Sequence, residues 1–162
     1  MRGMYAVEAV KKGETLLFVP DHLLLSLQRG LETPLGKIMT EKRLVPGGYR
    51  LNAPTMAVLA ISNLQEISLG DASPFANHYI VQPGVEDFPV YFTEKERAYL
   101  TGSPFLDYVD TEIEDIRYDY ALIARDIPEF GEKYSLDDYK RAKMLVISRN
   151  FGVTMKGIET NL

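Results

Sequence analysis

The spacing of apolar positions changes along the chain, and each change predicts a different kind of element. Tyr5-Ala6-Val7-Glu8-Ala9-Val10 is extended in type, Lys11-Lys12-Gly13-Glu14 has turn chemistry, and Thr15-Leu16-Leu17-Phe18-Val19 resumes a strand pattern. This predicts an N-terminal β-hairpin that Pro20 stops or confines to a sheet edge. Leu23-Leu24-Leu25 reads as a short buried strand, with a helical turn as the alternative. Gly30, Pro34 and Gly36 punctuate a weak helical stretch up to Leu44, and Pro46-Gly47-Gly48 reads as a loop.

From residue 52 the period becomes helical. Asn52 is a candidate cap for a helix beginning near Pro54, with Met56, Leu59, Ala60, Asn63, Leu64 and Ile67 on one face and Gly70 as its stop. Ser73-Pro74 starts a short helix through Tyr79. Thr93 and Glu96 have the spacing of a capping box. Ser103-Pro104 opens the longest helix, ending before Pro128; Leu106, Val109, Ile113, Ile116, Tyr120 and Ile123 form its apolar stripe. Ser135 and Asp138 begin a last helix, with Tyr139, Ala142, Val146 and Arg149 on a shared face. Gly152-Val153-Thr154-Met155 reads as a turn into a strand. Strands, then helices, then a strand again predict an α+β architecture: a small N-terminal β-sheet interrupted by a mainly helical insert.

Charge divides the chain at similar places. Residues 1–50 hold 8 Lys/Arg against 5 Asp/Glu, residues 51–138 hold 5 against 17, and residues 139–162 hold 5 against 1. The acidic middle would repel phosphates, which argues against direct nucleic-acid binding. It suits either a solvated helical face or a basic protein partner. With no Cys, disulfides, thiolate nucleophiles and Cys-based metal sites are excluded. His22 and His78 are too few for a histidine-rich metal centre. No apolar run approaches the ~20 residues that span a membrane, and Met1-Arg2-Gly3-Met4 does not open a signal peptide; the expectation is a soluble intracellular protein, cytoplasmic or nuclear.

Nucleotide-binding glycine loops and the G-x-S-x-G elbow are missing from the sequence. Asp107, Asp110 and Glu114 have helical spacing and could bind a hard cation, but a wet helix face explains them as well. His78 is either a functional imidazole or ordinary packing on a short amphipathic helix. Arg149, among apolar neighbours and followed by Phe151 and Gly152, must find an anion: a bound carboxylate or an ion pair with the acidic block.

Several segments carry a family resemblance. Arg2-Gly3-Met4-Tyr5-Ala6, Val10-Lys11-Lys12-Gly13-Glu14-Thr15-Leu16-Leu17 and Val19-Pro20 resemble the opening of SET-domain methyltransferases. His78-Tyr79 and Pro83, Thr93-Glu94-Lys95-Glu96 with Leu100-Thr101-Gly102-Ser103, and Ser148-Arg149-Asn150-Phe151 follow in the order of the group typified by the RuBisCO large-subunit lysine methyltransferase. That group splits its SET (β-clip) domain with a helical insert. The resemblance implies three parts: 1–50 as the N-terminal part of the domain, 51–138 as the insert, and 139–162 as the return to it.

The same resemblance implies methyl transfer from S-adenosylmethionine to a lysine, or in some members a histidine, of a protein substrate. It assigns cofactor contacts to Arg2, Gly3, Met4 and Arg149, and acceptor-side positions to Ser148, Arg149 and Phe151. Gly3 fits because a residue without Cβ lets the backbone approach a ligand closely. The family's N-H motif, pseudoknot and catalytic tyrosine follow its S-R-x-F helix, so the expectation is part of a cofactor wall with no catalytic group and no activity alone. Unpaired strand edges would then favour self-association. The rival reading is a non-enzymatic module whose acidic helical face docks a basic partner.

Overall fold

Eight consecutive residues, Ala57 to Leu64, are buried, and they cover every side of two turns of helix α3 (Pro54–Ser68). A helix without a wet face must be surrounded, and the rest of the molecule does this. The computed structural model describes residues 5–82, 84–150, 152–155 and 158–161. Helices α1 (Leu27–Glu32) and α2 (Pro34–Glu41) turn a corner against α3. Helix α4 (Ala76–Val81) and helix α5 (Glu94–Ala98) precede the long α6 (Pro104–Asp126). Helix α7 (Pro128–Lys133) folds back on α6, and α8 (Leu136–Ile147) lies along α3.

The corner between α1 and α2 depends on two glycines. A Cβ on Gly30 would come within 2.8 Å of Val58, and one on Gly36 within 2.0 Å of the Gly30 carbonyl oxygen. Ser26 and Thr33 cap the two helices by accepting the amides of Arg29 and Gly36. Two further N-termini carry complete capping boxes, Thr93 with Glu96 and Ser135 with Asp138, at the expected positions.

The start of α3 differs from the sequence expectation. Its N-cap is Ala53, and the Asn52 side chain donates to Asp115 Oδ1 at 2.6 Å. The capping is done from a distance: Asp119 on α6 accepts the backbone amides of Asn52 at 2.8 Å and Ala53 at 3.0 Å. A carboxylate there complements the positive end of α3. Burial holds the Asp119 carboxyl above its usual range, opposed by the two amides and by Lys143.

Between α6 and α8 lies a polar group in an apolar setting. Lys143 is 0% exposed, and its Nζ lies 2.9 Å from Glu112 Oε1, off the axis of a hydrogen bond. Tyr139, one turn earlier, is also buried, and its hydroxyl has no hydrogen-bond partner among the described residues. Burial, then the charges of Asp119 and Glu112, raises the Tyr139 pKa well above the ordinary phenol value. Tyr139 also packs with Phe130 and Tyr120 at ring separations of 6.3 and 6.0 Å, and Tyr120 donates to the Tyr134 carbonyl at 2.8 Å.

The expected N-terminal β-sheet is not formed. Residues 5–20 contain the Lys11–Glu14 turn, with the Glu14 amide on the Lys11 carbonyl at 3.1 Å and Gly13 at φ +89°. The flanking segments do not pair. Leu16 and Phe18, on one side of the segment, are 77% and 78% exposed, and Leu17 on the other is 67% exposed. An isolated hairpin with both faces wet has too little burial to hold its ladder. Leu23-Leu24-Leu25 is not a strand either: a 3-10 turn spans Asp21–Leu23 and an extended stretch leads into the Ser26 cap. The strands among the described residues are β1 (Gly152–Met155) and β2 (Ile158–Asn161), an antiparallel pair with Gly152 opposite Asn161. The architecture is helical with one terminal hairpin, and the α+β expectation is corrected accordingly.

The Lys143–Glu112 pair yields a stability test. Lys143→Met leaves the Glu112 carboxylate without its counterion and should destabilise the fold by about 3 kcal/mol in denaturant unfolding. Adding Glu112→Gln should recover most of that loss. A double variant no more stable than the single one would show that the pair does not couple.

Candidate functional site

A cleft of about 360 Å³ opens where the 3-10 turn at Asp21–Leu23 and the stretch after it meet α3, α4 and the end of α8. Leu23, Leu24 and Leu25 form one wall, and Leu59, Pro74, Phe75, Leu145 and Val146 supply the rest of the apolar lining. The polar groups are few: Asn63 on α3, His78 and Gln82 from the α4 side, and Arg149 and Asn150 just beyond α8. An apolar enclosure of this size with a handful of converging polar side chains is the usual form of a small-molecule site.

The back of the cleft is braced by ionic contacts. Arg29 on α1 lies with its guanidinium carbon 4.9 Å from the Phe75 ring centroid. It donates to the His22 carbonyl at 2.8 Å and pairs with Glu66 at 3.7 Å. Glu66, itself buried on α3, also accepts from Ser73 Oγ at 2.7 Å. Asn63 is 7% exposed, and its Oδ1 accepts from Tyr79 OH at 2.9 Å. Burial, and then the Glu66 charge, raises the Tyr79 pKa, so the hydroxyl keeps its proton. With the amide oxygen committed, the Asn63 NH2 is the donor available at the cleft floor.

The rim is formed by His78, Gln82 and Arg149. Gln82 Nε2 lies 2.8 Å from His78 Nε2. An amide nitrogen can only donate, so the imidazole accepts there and carries its proton on Nδ1. Burial, and after it the Arg149 charge, lowers the His78 pKa and favours this neutral form.

Arg149 is exposed and makes no ion pair among the described residues. It is not on α8, as the spacing suggested. Ser148 ends that helix, and the amides of Arg149 and Asn150 both reach the Val146 carbonyl, at 3.0 and 2.8 Å. The structural alternative for Arg149, a pair with the acidic block, is not made among those residues. Ser148 is exposed, donates to the Leu145 carbonyl at 3.1 Å, and does not line the cleft. Arg2, Gly3, Met4 and Phe151 lie outside the described residues.

The sequence missed Asn63, Gln82 and the leucine wall as site residues. Asn63 did carry a signal: with Ser62 and Glu66 it is a polar side chain inside a helix that is apolar all round. The leucines carried none, since a buried strand and a cleft wall look alike in sequence. A second depression, of about 460 Å³, is lined by Arg97, Asp110, Arg117 and Lys140 among others. Two of its cations are committed. Arg97 pairs with Asp110, and Lys140 donates to the Val90 carbonyl at 2.8 Å with its Nζ 3.7 Å from the Tyr91 ring centroid. Among the described residues no three His, Cys, Asp or Glu side chains converge as a metal site, and no helix is long and apolar enough to cross a membrane.

Comparison with known proteins adds an independent observation. The chain is 24% identical over 156 residues to the actin-histidine N-methyltransferase of Danio rerio, a match covering 91% of this chain and 25% of that protein. It is 26% identical over 157 residues to the actin-histidine N-methyltransferase of Dasypus novemcinctus, with the same coverage. The chain thus spans about a quarter of the length of the curated relatives it matches. No family model matches it, and no solved structure does.

Tyr79→Phe removes the donor that holds Asn63 and leaves a buried carbonyl unpaired. Stability should fall by about 1–2 kcal/mol in denaturant unfolding. Adding Asn63→Ala should not lower it by the same amount again, because the group left stranded is then gone. Additive losses would show that the two side chains are not coupled.

Proposed function

We propose that this chain is the part of an S-adenosylmethionine-dependent protein methyltransferase that holds the methyl donor at the cleft, with Arg149 binding the donor's carboxylate. One observation carries the reading. Similarity to histidine N-methyltransferases runs along nearly the whole chain, and this same chain sets an exposed arginine beside an apolar cleft of ligand size.

The donor's chemistry suits the residues present. It has an adenosine end, whose flat aromatic base can lie against apolar side chains, and an amino-acid end bearing a carboxylate. The leucine wall and Phe75 fit the first, and a guanidinium is the side chain best shaped for the second. When bound, S-adenosylmethionine supplies a methyl carbon on sulfonium sulfur, open to in-line attack by an acceptor nitrogen. The chain's own contribution is to orient and to exclude water. Leu23 to Leu25 and Leu145 keep the pocket apolar, Arg149 fixes one end, and the Asn63 NH2 offers a hydrogen bond along the floor.

Backbone groups of Arg2, Gly3 and Met4 complete the donor's contacts in this proposal, and Ser148 and Phe151 flank the acceptor side. The acceptor is a protein side chain, histidine by the names of the relatives and lysine by the motif resemblance.

The alternative, an interaction module, draws on the 17 acidic against 5 basic residues between 51 and 138. Titration calorimetry separates the two. The methyltransferase reading expects S-adenosylhomocysteine to bind, and Arg149→Ala to weaken binding by about tenfold or more, the value of a charge-assisted hydrogen bond. Salt-sensitive binding of a Lys/Arg-rich peptide, with no response to the nucleoside, would instead support the module.

A further inference from the structure

We propose that His78 is a second partner for the carboxylate held at Arg149, and that ligand binding at the cleft rim is accompanied by proton uptake onto this imidazole. The inference deepens the preceding reading and rests on it for the identity of the ligand, though not for the coupling between the two side chains. His78 and Arg149 line the same cleft from different elements, α4 and the turn after α8.

With no anion present, the guanidinium is the charge across from the ring, and Gln82 Nε2 donates to His78 Nε2 at 2.8 Å. Burial first, and then both of these features, hold the imidazole neutral. A carboxylate at Arg149 reverses both conditions. It cancels the facing positive charge and offers an acceptor for an Nε2–H. The ring then takes a proton from solvent at Nε2 and donates it to the carboxylate, its Nδ1 proton stays in place, and the Gln82 amide gives up its bond to that nitrogen. No covalent bond is made or broken other than N–H.

Among the described residues, the other titratable groups around the ring do not supply this effect. Tyr79, on the same helix, is held protonated and bonded to Asn63. Glu66 of α3 and Arg29 of α1 are engaged with each other and with Ser73 and the His22 carbonyl. Asp71, on the 3-10 turn before α4, and Asp21 and His22, on the turn before the leucine wall, are exposed to solvent. Arg149 is therefore the charge whose neutralisation matters. Because linkage is reciprocal, a ligand that raises the affinity of His78 for a proton must bind more tightly when the proton is present.

Two measurements on the 162-residue chain test this. In an NMR titration of the histidine rings, assigned with His78→Gln, Arg149→Ala should raise the His78 pKa. Saturating S-adenosylhomocysteine should raise it too, whereas 5′-methylthioadenosine, which lacks the carboxylate, should not. In calorimetry, S-adenosylhomocysteine should bind about fivefold more tightly at pH 5.5 than at pH 8, somewhat less than one pKa unit of coupling. In His78→Gln that dependence should be lost.

A His78 pKa that ignores Arg149→Ala, or a pH dependence that survives His78→Gln, overturns the proposal. If S-adenosylhomocysteine does not bind, the cofactor reading fails, and concentrated acetate becomes the probe. A rise in the His78 pKa with acetate, lost in Arg149→Ala, then upholds the paired carboxylate site; no rise overturns it.

Discussion

The burial of α3 on every side is the constraint from which the rest of the structure follows. Its apolar side chains require neighbours in all directions, which α1, α2, α4 and α8 provide. Its polar side chains then cannot reach water and need partners inside the protein. Asn63 finds Tyr79, Glu66 finds Ser73 and Arg29, and the amides at its start find Asp119. Arg29 and Asp119 come from elements distant in sequence, so satisfying one buried helix ties it to α1, α4 and α6. The cleft is a product of this arrangement. It lies where the wrapping elements meet but do not close, between Leu23 to Leu25, α4 and the end of α8.

Polar groups in the core were accordingly placed by long-range demands. Lys143 and Glu112 illustrate the hazard and the use of such a pair. Replacing both by apolar residues of similar size need not weaken a fold, but removing one strands the other. The pair therefore constrains which face of α8 meets α6 more than it adds net stability. That face decides the direction in which residues 148–150 leave the helix, and so where the Arg149 guanidinium lies.

Local chemistry was legible in the sequence, and anything requiring a distant partner was not. Thr93 with Glu96 and Ser135 with Asp138 carry their partners three residues away, and both helix starts lie where the pattern put them. The stripe from Val109 to Ile123 identified the inner face of α6 for the same reason. Asn52 was misread because the group that satisfies those amides, Asp119, is 67 residues away. The residues from Tyr5 to Val19 have strand-forming side chains, but a strand is made by what pairs with it and covers it, and neither is present along 5–20. The spacing puts Arg149 on the last helix among apolar neighbours, but it is exposed and lies beyond α8. That it lines one cleft with His78 depends on elements distant in sequence, which no local pattern shows. The leucine wall could not be distinguished from core.

The walls of the cleft have an uneven origin along the chain. One is built from residues 23–25, another from 59–82, and the last from 145–150. Two of the three thus lie more than 100 residues apart and meet through side chains rather than through a continuous element. A ligand bound between them would act as a removable staple. It would hold residues 23–25 and 145–150 together while bound and let them part on leaving, so its concentration would set how readily these segments open.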